Sequence, residues 1–308
     1  MRIIFMGTPE FAVPCLKSLL DAGHDVCAVF TQPDKPKGRG YALTPPPVKE
    51  LAVQHGIEVF QPTTLRTAEA AETVRGLNPE VIVVVAYGKI LPKAILDIPA
   101  LGCINVHASL LPKYRGAAPI QWSVINGEKV TGVTTMYMAE GLDTGDMLLT
   151  DKTEIGPDET SGELHDRLSL MGAQLIVKTL HAVENGTAKR IPQTDENTCY
   201  ASMLSKELSR IDWSKQANEI HNLIRGLSPW PTASTIYNDK ILKVHRSKIV
   251  DGYTGNAGQI ADLTGSFIVC CGEGTAIELV EVQYEGGKRM GGKDFLRGHP
   301  ADIGTILR

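Results

Sequence analysis

Hydrophobic and polar positions follow two different patterns along this chain, and the change falls near Arg210. In the first part, short apolar runs are separated by segments of helical period. RIIFMG (2–7) and DVCAVFT (25–31) flank a stretch, 9–22, in which Phe11, Leu16, Leu19 and Leu20 can share one helical face, so these segments predict a βαβ unit. Helices are predicted over 48–55 and 67–76, and the β-branched run VIVVVAYG (81–88) has the composition of a strand buried on both faces of a parallel sheet. A short helical insert at 91–96 leads to the strand CINVHA, which begins at Cys103. A helix over APIQWSVING, a strand at 130–138, the turn AEGLDTGD, a strand at 147–155 and a long helix at 159–185 follow. Beyond Arg210 one helix, 216–227, ends at the breaker Pro229-Trp230-Pro231. The remainder is short strands punctuated by glycine: ASTIYN, KILKVHRSKIV, GSFIVCCG and AIELVEVQYEG. So many short strands pack most readily as a small antiparallel barrel. The pattern predicts an α/β chain with an N-terminal Rossmann-like domain over 1–206, an open, mostly parallel sheet with helices on both faces. A barrel domain over 207–308 follows, joined to it by a linker at about 200–212.

At 308 residues the chain is long enough for two such domains, each with its own core. Hydrophobic residues at 43% and charged residues at 21% exclude the disordered and collagen-like classes. The opening MRIIFMGTPEF holds too few apolar residues before Gly7 and Pro9 for a signal peptide or a membrane span, and reads as a first strand. Six cysteines stand without paired spacing, Cys270 and Cys271 side by side, which suits neither a disulfide framework nor a zinc site. A reducing cytoplasm and no metal are expected. The formal net charge of −4 lies wholly in the first part: 19 basic and 23 acidic residues up to Lys206, and 12 of each beyond it. A polyanionic partner would have to meet local cationic patches rather than the field of the whole molecule.

Against this background the polar residues that interrupt apolar runs carry the chemistry. In 103-CINVHASLLPKYRG-116, side-chain alternation puts Asn105 and His107 on one face of a strand and Ile104 and Val106 on the other. Taken alone, such a pair is a strand end whose polar groups satisfy neighbouring backbone. Ligands of open parallel sheets gather at the carboxyl ends of the strands. Three loops expected there are chemically loaded: Tyr87-Gly88-Lys89, the SLLP loop after His107, and the AEGLDTGD turn, where glycines near Asp143 allow the backbone to aim one carboxylate. An Asn, a His and an Asp in one cleft suffice for acyl transfer to an amine. The His handles the proton, the Asn amide donates to the developing oxyanion, and the Asp supports the imidazolium. The first βα turn, Gly7 to Ala12, lacks the G-x-G-x-x-G pattern, so a dinucleotide cofactor is not expected. The loop 32-QPDKPKGRGYALTPPPVK-49 sets Lys35, Lys37, Arg39 and Lys49 against Asp34, a local charge of +3 suited to phosphate contact or simply to solvent.

Together these segments resemble the methionyl-tRNA formyltransferases, over almost the whole chain. The likeness rests on M-G-T-P-x-F-A at Met6 to Ala12, Q-P-D-x-P-x-G-R-G at Gln32 to Gly40, N-V-H-x-S-L-L-P-x-x-R-G-A-A-P-I at Asn105 to Ile120, and G-L-D-T-G-D at Gly141 to Asp146. I-D-W at Ile211 to Trp213 and P-W-P at Pro229 to Pro231 add to it. The resemblance implies transfer of a formyl group from 10-formyltetrahydrofolate to the α-amino group of methionine on initiator tRNA. By position, Asn105, His107 and Asp143 match the catalytic trio, and Ser109, Leu110, Leu111 and Pro112 match the tetrahydrofolate-contacting segment, with Tyr87 and Gly88 completing that pocket through backbone. The C-terminal barrel is expected to be OB-like and to contact tRNA. Lys35, Lys37 and Arg39 of the loop, and Lys243, Arg246 and Lys248 of the barrel, are its expected phosphate contacts. A second basic group stands at Lys288, Arg289, Lys293 and Arg297. Where relatives carry extra lysine after the Arg-Gly pair, this chain has Tyr41 and Ala42. A monomer is expected, with no membrane partner. The competing readings are a formyltransferase for a small amine, needing neither basic loop nor barrel, and a non-catalytic RNA-binding protein, which would not need Asn105, His107 and Asp143 intact.

Overall fold

The computed structural model describes residues 1–37, 42–262 and 265–308. Arg39, Tyr41 and the side chain of Lys37, all singled out from the sequence, lie outside the described residues. The chain condenses into two compact units: Met1–Gly116 with Thr131–Thr153 and His165–Tyr200, and Ala117–Val130 with Glu154–Leu164 and Ala201–Arg308.

The strands of the first unit, in chain order, are β1 (Arg2–Gly7), β2 (Asp25–Phe30), β3 (Lys35–Lys37), β4 (Ala42–Thr44), β5 (Val59–Phe60), β6 (Val81–Val85), β7 (Cys103–His107), the short β8 (Arg115–Gly116), β9 (Val130–Tyr137) and β10 (Met147–Glu154). Seven of them form one sheet in the order β10-β9-β7-β6-β1-β2-β5. β1 and β6 pair in parallel from Ile3↔Val81 to Gly7↔Val85, and every residue of β6 is buried, which is why its sequence shows no alternation. Helices α1 (Val13–Asp21), α2 (Pro47–Gln54), α3 (Ala68–Gly76) and α4 (Lys93–Leu96) connect the parallel strands. Their starts are readable: Pro14 occupies the first turn of α1, and the Thr67 side chain accepts the Ala70 N–H at 3.2 Å to cap α3. The chain builds outward from β1 through β2 to β5, then returns to β6 on the other side, so β1 and β6 flank the point where strand order reverses. The Pro- and Lys-rich loop has a feature the apolar pattern did not show: β3 and β4 pair antiparallel, Lys35 opposite Thr44.

In the second unit, α5 (Pro119–Ile125) and the start of α6 (Ser161–Glu184) join α7 (Ala217–Gly226) and an antiparallel sheet. After the short β11 (Tyr200–Ala201), the sheet strands are β12 (Ala233–Tyr237), β13 (Lys240–Val250), β14 (Ile260–Asp262), β15 (Ile268–Cys270), β16 (Ala276–Tyr284) and β17 (Arg289–Gly291), with α8 (Gly292–Gly298) behind the last. They run in the order β12-β13-β16-β15-β14, with β17 on β16. The two edges are laced by the C-terminal segment. Arg308 exchanges backbone hydrogen bonds with Ile236 of β12, while Gly304, Thr305 and Leu307 bond to Ile260 and Gly258 at β14. That closes the sheet into the expected barrel without leaving its edges open. Ile211 and Trp213 are buried in its core, and the indole N–H of Trp213 donates to Thr235 at 3.0 Å.

Candidate active site

The site grows from β7, which lies between β6 and β9. Asn105 stands opposite Val84 on one side and Met136 on the other, both buried. It is itself half-buried, and its side-chain amide has no hydrogen-bond partner among the described residues. Two residues on, His107 is 6% exposed, with Nε2 2.9 Å from the carbonyl of Tyr114. A carbonyl only accepts, so Nε2 carries the proton and Nδ1 is the nitrogen left to gain one. Nδ1 faces Asp143 Oδ2 at 3.7 Å, too long for a hydrogen bond but close for opposite charges.

From its place after a strand the Asp143 turn is expected at the carboxyl ends of parallel strands, but it reaches the site by another route. β9 instead runs antiparallel to β7, with Thr134 opposite His107 and Tyr137 opposite Ile104. The chain therefore leaves β9 beside the amino end of β7, and the turn runs back along that strand to deliver the carboxylate. The conformation is exacting: Asp143 has φ 52°, a left-handed value that Asp tolerates better than most residues, and a Cβ on Gly145 would lie 1.8 Å from the Tyr137 carbonyl oxygen. Asp143 Oδ2 also accepts the backbone N–H of Gly116 at 2.8 Å, so one oxygen is fixed by the peptide and turned toward the imidazole.

The SLLP segment divides between loop interior and surface. Ser109 is fully buried and its hydroxyl donates to the Lys113 carbonyl at 2.7 Å, while Leu111 is buried as well. Leu110 and Pro112 remain half-exposed. Thr134, absent from the candidates read off the sequence, ties this loop to β9 by donating to the Ser109 carbonyl at 2.7 Å and accepting the Leu111 N–H at 3.3 Å. Gly132 makes room beside it, since an added Cβ would lie 2.0 Å from the Asp151 carbonyl oxygen and 2.6 Å from Leu110 Cδ2.

At the strand-order reversal, Ala86 and Gly88 both have positive φ, 47° and 77°. The Tyr87 carbonyl between them accepts from the Thr8 hydroxyl at 3.2 Å and from the Gln32 amide at 3.0 Å, joining the ends of β1, β2 and β6. The Tyr87 ring belongs to the core, its hydroxyl buried with no hydrogen-bond partner among the described residues and pushed up to about 12 by burial. Tyr87 can therefore contribute backbone, not its phenol, to a ligand.

Of the expected phosphate contacts, Lys35 is exposed on β3. Its neighbour Lys49 is engaged, pairing with Asp34 at 2.9 Å and bonding Gln61 at 2.8 Å. On β13, strict alternation would send Lys243 to one face and Arg246 and Lys248 to the other. A register shift between Val244 and Arg246 realigns them, and all three are exposed. Arg246 is committed to carboxylates, 2.5 Å from Glu163 and 4.0 Å from Glu281. Arg289 pairs with Glu281 and Arg297 with Asp294. Lys243, Lys248, Lys288 and Lys293 are exposed and make no ion pair among the described residues.

Among those residues no group of three or more His, Cys, Asp and Glu side chains comes together as a metal site. No helix among the described residues is long and apolar enough to cross a membrane.

Residues 1–180 match the formyl transferase family and residues 203–300 the formyl transferase C-terminal domain. A methionyl-tRNA formyltransferase of Alkaliphilus oremlandii is 53% identical over 308 residues, covering 100% of this chain and 99% of the relative. That of Citrifermentans bemidjiense is 54% identical, covering 100% and 96%. Among solved structures, WlaRD, a sugar 3N-formyl transferase crystallised with dTDP and 5-N-formyl-THF, superimposes with a TM-score of 0.69 at 21% identity, over 92% of this chain and 97% of that one. An N-formyltransferase from Helicobacter canadensis gives 0.69 at 21% identity over 90% and 98%, a likeness of fold. With an Asn, a His and an Asp gathered along β7 and relatives matching from end to end, the chain belongs to the formyl transferase family, among the methionyl-tRNA formyltransferases.

Proposed function

We propose that this chain transfers a formyl group from 10-formyltetrahydrofolate to the α-amino group of methionine on initiator tRNA, making formylmethionyl-tRNA for translation initiation. The observation that supports the chemistry is the arrangement along β7: an Asn105 amide with no hydrogen-bond partner among the described residues, beside a histidine whose proton-accepting nitrogen faces a fixed carboxylate. Full-length identity to relatives of that name supports the choice of acceptor.

The surroundings suit a flat folate ring. Leu110 and Pro112 offer apolar surface, and Gly88 lets the backbone approach. The folate supplies an activated formyl carbon, whose oxygen gathers negative charge as the amine adds. Asn105 donates to that oxygen. His107 accepts the proton released by the amine at Nδ1, because Tyr114 holds the proton on Nε2. The imidazolium so formed is balanced by Asp143, and His107 then returns the proton to the departing folate nitrogen. Ser109 and Leu111 shape the loop from within, and Tyr87 contributes backbone.

Lys35, Lys37 and Arg39 of the basic loop, with Lys243 and Lys248 of the barrel, meet tRNA phosphates. Arg246 would first have to leave Glu163. The catalytic part ends near 206 and the tRNA-binding part follows from 207, a division supported by separate family matches to 1–180 and 203–300. The protein works in the cytoplasm, as a single chain. The test is formylation of Met-tRNA with 10-formyltetrahydrofolate, with free methionine as control, across a salt series. The reading requires formylation of the charged tRNA that weakens steeply with salt. Equal use of free methionine, or a rate indifferent to salt, would overturn it.

A further inference from the structure

We propose that Gln193 is a positioning residue for this reaction, holding the Asp143 turn and, with Arg115, the segment that orients His107. The proposal rests on Asp143 and His107 having the roles given above. Gln193 lies far along the chain from both, yet its amide donates two hydrogen bonds into the turn, to the Asp143 carbonyl at 2.9 Å and the Gly145 carbonyl at 2.8 Å. The first of these carbonyls belongs to Asp143 itself, the residue in left-handed conformation, and the second lies two residues on in the same turn, where the backbone cannot satisfy itself as a helix or strand would. The same amide group's oxygen accepts from Arg115 Nε at 3.0 Å. Arg115 is 2% exposed, and its remaining nitrogens reach Asp195 at 3.0 Å and the Thr194 carbonyl at 3.4 Å.

Arg115 is placed between two residues that already touch the site. On one side, the Tyr114 carbonyl accepts from His107 Nε2 and decides which nitrogen takes a proton. On the other, the Gly116 N–H holds Asp143 Oδ2. Fixing the Arg115 side chain fixes both peptides, and Gln193 couples that anchor to the Asp143 turn. One side chain thus sets the imidazole tautomer and the carboxylate that faces it. Side-chain amides can do this because they donate and accept at once; a carboxylate or an ammonium cannot.

The last point supplies the test. Gln193→Glu keeps the shape and strengthens the tie to Arg115, but sets a carboxylate oxygen against two carbonyls, so the turn is released while the anchor stays. Gln193→Ala releases both. The structure requires that both variants, checked for wild-type secondary structure and thermal unfolding, lose about tenfold to a hundredfold in kcat, with KM for the folate and for Met-tRNA changed by less than about threefold. If Gln193 only steadies Arg115, Gln193→Glu will restore wild-type kcat and the proposal is wrong. A raised KM at constant kcat would equally overturn it, by placing Gln193 in substrate binding. Asp143→Asn, measured alongside, separates the two ideas: wild-type activity in that variant removes the catalytic reading itself, whatever the Gln193 variants do.

Discussion

Replacing Asp143 by asparagine tests the charge on that side chain with little change of shape. Asn also accepts φ 52°, and its carbonyl oxygen can still take the Gly116 N–H, now 2.8 Å from Asp143 Oδ2. Folding stability should therefore change by no more than about 0.5 kcal/mol. Lost is the negative charge 3.7 Å from His107 Nδ1. At an effective dielectric near 20, two unit charges at that separation attract by about 4 kcal/mol, close to three powers of ten in rate if all of it appears in the transition state. Asp143 is 15% exposed, and water recovers part of that energy, so a loss of about a hundredfold to a thousandfold is expected. The assay is single-turnover formation of formylmethionyl-tRNA at saturating enzyme, which isolates chemistry from product release, with circular dichroism and thermal melting on the same preparation. A folded variant within about threefold of the wild-type rate would show that the carboxylate does not support a charged His107, and the proposed proton path would fall.

Three further outcomes follow from particular contacts. Gly132→Ala should cost about 1–3 kcal/mol of stability by overpacking and should weaken binding of a folate analogue in calorimetry, because the new methyl would press on Asp151 and Leu110; unchanged melting and affinity would contradict the packing described. Glu163 is lowered from 4.5 to about 2, chiefly by the Thr160 N–H and then by Arg246, so the unfolded chain binds this proton more readily than the folded one. Its stabilisation is therefore complete above pH 4.5 and lost as pH falls toward 2, and Glu163→Gln should flatten acid unfolding followed by tryptophan fluorescence in that window. In salt titrations of tRNA binding, Lys243→Ala and Lys248→Ala should each lower the slope by about 1, whereas Arg246→Ala, removing a cation already held by Glu163, should lower it less; three equal effects would refute that distinction.

Much of this protein is legible in the amino-acid order because the signals are local. The β-branched, all-apolar run Val81–Val85 has the composition of a strand covered on both faces, and strand alternation suffices to put Asn105 and His107 on one side of β7. Even Asp143 stands out, as an acid among glycines in a turn. What periodicity cannot carry is direction and long-range pairing. Nothing in 130–138 says that β9 runs antiparallel to β7, so only the folded sheet reveals that the Asp143 turn comes back along the strand. Tyr87 looks like a pocket residue from its place after a strand, but core packing claims its ring. The shift near Arg246 brings three basic side chains to one surface against simple alternation, because a bulge depends on the partner strand. The C-terminal segment closes the barrel through hydrogen bonds to strands many residues away. Gln193, Arg115 and Thr134 reach the site only through contacts made after the chain has folded, and hydrogen bonds between residues so distant in sequence leave no pattern in either of the segments they join.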